Sequence, residues 1–228
     1  MPQLVLWDID HTLIASRGVG RRLSAAAFER VTGQPMRSQA TIDGRTEALI
    51  FRETAQLHGL STDRADFQRF ARALTELYVQ HAGKLREQGS ALPGAAAALD
   101  ALAIAGVRQT AVTGNVRAVA EVKLDVFGLD THMEWEVGAY GEDADLRPAL
   151  VDLALTRSSV TAAEAVLIGD TPADVEGGLE TGVRVVAVAT GRSSASDLRA
   201  SGADIVLEDL TDLDLLLRAI ATTGDQGF

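Results

Sequence analysis

The sequence predicts a doubly wound α/β protein, a parallel sheet with helices on both faces, interrupted early by an all-helical insertion. Short apolar runs recur at Leu4–Trp7, 107–112, 165–168, 183–189 and Ile205–Leu207, and runs of this length without alternation read as strands buried on both faces. Helical patterns fall between the later runs, at 95–105, 116–127, 149–156 and 173–180, and many are stopped by glycine, at Gly106, Gly128 and Gly182. The alternation lapses once: between about 15 and 90 there is no strand signal, only helical patterns such as Glu47–Leu57 and a long one over 63–87. Leu92-Pro93-Gly94 is a breaker that returns the chain to the sheet. The predicted division is a core of residues 1–14 and 91–228 around an insertion of residues 15–90, with the last residues, 222–228, frayed.

Composition narrows the function classes. At 228 residues and 46% hydrophobic composition the chain can bury a full core. No apolar run reaches the roughly 18 residues that span a membrane, and the N-terminus enters a strand without a basic leader, so a soluble cytoplasmic protein is expected. There is no cysteine, and the four histidines, His11, His58, His81 and His132, have no zinc-type spacing. Any metal should therefore be held by oxygen. The net charge of −11 argues against a nucleic-acid partner, and an anionic substrate would need a locally positive pocket. The basic residues are almost all arginine, with Lys84 and Lys123 the two lysines. That bias fits genome composition and suggests no function.

In open α/β sheets ligands bind beyond the carboxyl ends of the strands, and the informative residues sit there. The first strand ends in Asp8-Ile9-Asp10-His11-Thr12, the next core strand in Thr113-Gly114-Asn115, Arg147 opens a later helix, and another strand ends in Gly169-Asp170-Thr171-Pro172-Ala173-Asp174. This ordered set resembles the four motifs of the haloacid dehalogenase superfamily, in its phosphatase branch, and the resemblance extends over almost the whole chain. It makes the core Rossmann-like and the insertion that superfamily's mobile helical cap. Within the branch, phosphoglycolate phosphatase-like enzymes are the nearest type.

The resemblance implies a mechanism that the residue types can perform. A carboxylate can act as covalent nucleophile in phosphoryl transfer, splitting one hard step into two easier ones, and Asp8 is placed for it. Asp10 takes the general acid and then general base role. The metal ligands carried over are the Asp8 carboxylate, the Asp10 backbone carbonyl and Asp170, with Asp174 and Thr12 supporting them. Mg2+ suits an all-oxygen site that also receives a substrate phosphate. Thr113, Gly114, Asn115 and Arg147 are expected to bind the phosphate. Arg147 stands where the family usually has lysine, and His11 where its common form has glycine. In the insertion, Thr41-Ile42-Asp43-Gly44-Arg45-Thr46 resembles the cap's substrate-specificity loop, with Gly44 for the turn and Arg45 for a substrate anion.

Each motif also has an ordinary structural reading. Thr171-Pro172-Ala173-Asp174 is a good helix start in itself. Thr113 could simply end a strand, Arg147 could be a surface charge, and the 41–46 segment could be an interhelical turn capped by Thr41 or Asp43. His11 reads as a satisfied loop histidine or a substrate contact, with the structural reading favoured, and His58 and His81 as capping or surface residues. The conjunction of four motifs in one topology outweighs these. The expected function is magnesium-dependent hydrolysis of a small phosphorylated metabolite, phosphoglycolate-like or a sugar phosphate, by a monomer or homodimer. A phosphomutase of the beta-phosphoglucomutase type is the alternative. A dehalogenase is disfavoured because that branch lacks the second aspartate, and a phosphonate hydrolase because its cap lysine has no counterpart nearer than Lys84. A receiver domain carries its phosphoacceptor on a later strand, and a catalytically dead binding protein would not need Asp8, Asp10, Thr113, Arg147 and Asp170 together.

Overall fold

A computed structural model describes residues 1–221; the fraying expected at 222–228 lies outside the described residues. In chain order the elements are β1 (Leu4–Trp7), β2 (Ile14–Ala15), α1 (Val19–Thr32), α2 (Glu47–Leu57), α3 (Arg64–Gln80), α4 (Ala82–Gln88), β3 (Ser90–Ala91), α5 (Ala95–Ile104), β4 (Arg108–Ala111), α6 (Arg117–Phe127), α7 (Arg147–Ser158), β5 (Ala165–Gly169), α8 (Pro172–Thr181), β6 (Arg184–Val188), α9 (Ala195–Ala200), β7 (Ile205–Leu207) and α10 (Leu213–Ala221). Five strands form one parallel sheet in the order β4-β1-β5-β6-β7. These are the five apolar runs read in the sequence.

The period of two along β1 divides the core into two layers. Val5 and Trp7 pack with Leu99 and Leu102 of α5, Leu124 of α6 and Leu216 of α10, whereas Leu4 and Leu6 pack with Leu150 and Val151 of α7, Val175 of α8 and Leu198 of α9. All four β1 side chains are fully buried. Helices therefore cover both faces, which is why the strands carry no polar alternation.

Residues 16–89 contain no strand among the described elements, and α1 to α4 build a third core of their own from Phe28, Phe51, Phe70, Leu74 and Leu85. Phe51 and Phe70 stack with ring centroids 4.6 Å apart. This core continues into Val116, Val119 and Val126 of α6, so the insertion rests on a helix of the main sheet layer. Two features differ from the sequence expectation. The 63–87 pattern is two helices that meet at His81, whose ring Nδ1 lies 2.9 Å from the Leu77 carbonyl oxygen and whose backbone leaves the helical region. The base of the insertion is closed by a two-residue antiparallel pairing, Ile14 with Ala91 and Ala15 with Ser90, too short for any sequence period to register.

Because Phe70 is stacked and 1% exposed, Phe70→Ala should destabilise the protein by about 3–5 kcal/mol through lost burial and a residual cavity. A denaturant melt will report it. A change under about 1 kcal/mol would mean that the insertion core contributes little to the cooperative unit.

Candidate active site

The sheet order places the site. The chain passes from β1 to β4 on one side and later to β5 on the other, so the strand order reverses at the carboxyl end of β1. Such a reversal leaves a crevice. Asp8 follows β1, Thr113-Gly114-Asn115 lies just beyond β4, and Asp170 follows β5 directly; all line one open cavity with Asp10, Arg147 and residues of the insertion.

On one wall, Asp8, Asp170 and Asp174 each turn a carboxylate oxygen to within 4.8 Å of the others, and all three are buried. Arg147 holds them together. Its guanidinium lies 3.0 Å from Asp174 Oδ1 and 3.4 Å from Asp8 Oδ1, and it donates to the Val112 carbonyl at 2.8 Å. At 5% exposure Arg147 is no surface charge. Thr12 donates to Asp170 Oδ1 at 3.3 Å. Asp174 also serves as the third residue of a capping box: Thr171 caps α8, accepts from the Asp174 backbone, and its own backbone N–H donates to Asp174 Oδ2 at 3.0 Å. The helix-start reading of this motif and its place in the site are thus both true.

One arginine does not balance three buried carboxylates. Burial, and then the Asp174 charge, push Asp8 up to about 7 despite Arg147. Burial, then Asp8 and Asp174, push Asp170 up to about 9. Carboxyls raised in this way lack positive charge. An oxygen-only donor set with such a deficit fits a hard divalent cation, which would let the group stay ionised.

Asp10 lines the same cavity, but its carboxylate is not part of this cluster. Asp10 Oδ2 accepts from Lys123 Nζ at 2.5 Å and from Asn115 Nδ2 at 2.8 Å, and Lys123 also donates to Asn115 Oδ1 at 2.6 Å. Burial alone would raise Asp10, but the Lys123 charge and these hydrogen bonds bring it below its ordinary value. Asn115 Nδ2 also reaches Thr113 Oγ1 at 2.8 Å, which links the loop after β4 to the same network. Lys123 was not expected from sequence. The signal was present, since on the helical pattern 116–127 it shares the i, i+3, i+4 stripe with Val116, Val119, Ala120 and Phe127, a place where a lysine is costly unless paired.

Insertion residues complete the cavity. Tyr78 from α3 stands with its ring centroid 5.5 Å from Lys123 Nζ, and Glu47 at the start of α2 points a buried Oε2 that has no hydrogen-bond partner among the described residues. Burial lifts Glu47 to about 7 even though Lys123 opposes the shift. The loop before α2 touches the loop after β4 through its backbone: Glu47 N–H donates to the Gly114 carbonyl at 2.8 Å, and a Cβ on Gly114 would fall 2.1 Å from the Arg45 carbonyl oxygen. A Cβ on Gly44 would fall 2.5 Å from that of Ala173. Both glycines are where the insertion meets the core.

The turn itself is capped by Thr46, which accepts from Leu49 N–H, rather than by Thr41 or Asp43. Arg45 lines the cavity but is ion-paired with Glu53 one helical segment on, and Arg192 is paired with Asp43 at 3.2 Å. Arg21 of α1 lines the same cavity and has no ion pair among the described residues. Lys84 lies outside the cavity lining. His11 has φ of 65°, the left-handed conformation for which the family uses glycine; its N–H donates to Ile14 O at 2.7 Å and its carbonyl accepts from Thr190 Oγ1 at 2.5 Å. His58 has the structural role expected, accepting from Arg37 N–H at 2.9 Å.

Among the described residues no helix is long and apolar enough to cross a membrane. Residues 5–188 match the family model of haloacid dehalogenase-like hydrolases. The chain is 34% identical over 167 residues to the phosphoglycolate phosphatase (plasmid) of Cupriavidus necator, covering 72% of this chain and 69% of that protein. It is 29% identical over 218 residues to the phosphoglycolate phosphatase of Rhodospirillum rubrum, covering 93% and 90%. A hydrolase of known structure from Pseudomonas syringae superposes with a TM-score of 0.69 at 20% identity, over 97% of this chain and all of that one, which shows a shared fold. With its motifs at the strand ends of that fold, the chain belongs to the haloacid dehalogenase-like hydrolases and is a phosphatase of their phosphoglycolate phosphatase-like group.

Proposed function

We propose that the protein is a magnesium-dependent phosphatase that hydrolyses a small, anionic phosphomonoester of the phosphoglycolate type through an aspartyl phosphate on Asp8, in the cytoplasm. One observation carries the reading: two aspartates separated by one residue stand in opposite electrostatic surroundings at the sheet's reversal point. Asp8 lies among carboxylates beside Arg147, and Asp10 is paired with Lys123. An ionised Asp10 suits the base that takes a proton from water, and Asp8 becomes the nucleophile once added positive charge keeps its carboxylate ionised.

In the first displacement an Asp8 oxygen attacks phosphorus, the ester P–O bond breaks, and the alcohol leaves with the proton that Asp10 took from water in the preceding turnover. In the second, water attacks phosphorus, its proton passes to the Asp10 carboxylate, and the bond from phosphorus to Asp8 breaks to give inorganic phosphate and the free carboxylate. Thr113, the Gly114 backbone, Asn115 and Arg147 orient the phosphoryl oxygens. The Asp8 carboxylate, the Asp10 carbonyl and Asp170 would hold the cation, with Asp174 and Thr12 behind them. Once bound, Mg2+ supplies positive charge that keeps these carboxylates ionised and offsets the charge of the phosphoryl group. Residues 15–90 act as the cap, and its contacts at Gly44 and Gly114 exclude water from the first step.

Chelation should abolish turnover of an aryl phosphate and magnesium should restore it; full activity in excess chelator would refute the metal requirement. Asp8→Asn should be inactive. Asp10→Asn should release a burst of phenolate, because a good leaving group needs no acid, and then turn over slowly, since hydrolysis of the intermediate loses about 10²–10⁴-fold without its base.

The substrate carboxylate is assigned to the cavity's cationic edge. Because Arg45 is shared with Glu53 and Arg21 has no ion pair among the described residues, Arg21→Ala should raise KM for phosphoglycolate more than Arg45→Ala does, with little effect on an aryl phosphate. Steady-state kinetics on both substrates will show it, and equal KM for wild type and both variants would move substrate recognition elsewhere. Dependence on a bisphosphate activator would instead favour a phosphomutase.

A further inference from the structure

Lys123 is a buried cation at the site that neither the motifs nor the phosphate chemistry requires. It is 4% exposed and comes from α6, the helix against which the insertion packs. Its ammonium has three donors. Two are committed, to Asp10 Oδ2 at 2.5 Å and to Asn115 Oδ1 at 2.6 Å, while Asn115 Nδ2 returns a bond to Asp10 Oδ2 at 2.8 Å. The three side chains form a closed triangle. Burying a lysine is costly, and neutralising a single carboxylate would not require the second anchor on Asn115. That anchor fixes where the ammonium sits, and hence where the Asp10 carboxylate points.

We propose that Lys123 is the positioning residue for Asp10, holding its carboxylate in place to take the proton from water when the aspartyl phosphate is hydrolysed. The inference rests on the Asp10 role proposed above. In that step the water oxygen bonds to phosphorus, the bond from phosphorus to Asp8 breaks, and the water proton goes to Asp10. Lys123 donates hydrogen bonds throughout and gives up no proton. The first displacement with an aryl ester needs no contribution from Asp10, so Lys123 should not matter there.

The test is rapid-mixing kinetics of Lys123→Met with an aryl phosphate and magnesium, with Asp10→Asn and wild type alongside. The phenolate burst counts folded, competent sites, so every rate is per competent site. The burst rate should stay within about threefold of wild type, while the following steady-state rate falls about 10–100-fold, the scale for misplacing a catalytic group by an ångström or less. Lys123→Arg should recover part of the steady-state rate. If both phases slow equally, or neither changes, Lys123 serves folding or phosphate binding and the inference is overturned. If Asp10→Asn itself shows no separation of the two phases, the Asp10 reading fails and takes the inference with it. A normal Asp10→Asn pattern beside an unaltered Lys123→Met steady state overturns the Lys123 inference alone. Should the methionine variant not fold, Lys123→Gln carries the same expectation, because a shorter neutral amide cannot reach both anchors.

Discussion

Three carboxylates within 4.8 Å of one another, all buried, can remain ionised only if positive charge is placed among them. The rest of the site follows from that requirement. Arg147 contributes one charge from the first residue of α7, and its fork reaches Asp8, Asp174 and a strand carbonyl at once. A lysine there, the family's usual choice, would offer a point charge instead of a planar fork. The remaining deficit appears in Asp8 and Asp170, both raised well above ordinary carboxylates. A divalent cation is the simplest chemical answer, and the oxygen-only surroundings of a chain without cysteine suit magnesium.

The sheet produces this concentration of charge, and the insertion encloses it. Strand ends gather where the order reverses, so residues more than 150 positions apart, such as Thr12 and Asp170, can share a hydrogen bond. The insertion contributes at short range because glycine stands at both touching points, Gly44 and Gly114. It also brings Tyr78 and Glu47 to the side of Lys123. With the insertion core running into α6, the helix that presents Lys123, insertion packing and Asp10 placement share one element.

Much of this was legible in the sequence because buried parallel strands and their motif endings leave a plain signature: each of the five runs became a strand, and Asp8, Thr113 and Asp170 lie just past three of them. What the sequence hid falls into two kinds. Local geometry without a period escaped: the Ile14–Ala15 and Ser90–Ala91 pairing is too short, and the break at His81 interrupts a pattern whose apolar spacing continues into Leu85. Pairings across long separations escaped too. Nothing in the segment around Arg45 announces that Glu53 takes up its charge, and the burial of Lys123 makes sense only once Asp10 lies beside it. A lysine on an apolar helical stripe was a usable clue, and its significance depended on a partner 113 residues away.

A divalent cation that completes the carboxylate cluster should also stabilise the fold. Thermal unfolding of chelator-treated protein, with and without Mg2+, tests it without relying on turnover. Saturation about a hundredfold above the dissociation constant should raise Tm by roughly 5–10 °C, and Asp170→Asn should lose most of that increment. An identical Tm with and without the ion, or an undiminished increment in Asp170→Asn, would contradict the account.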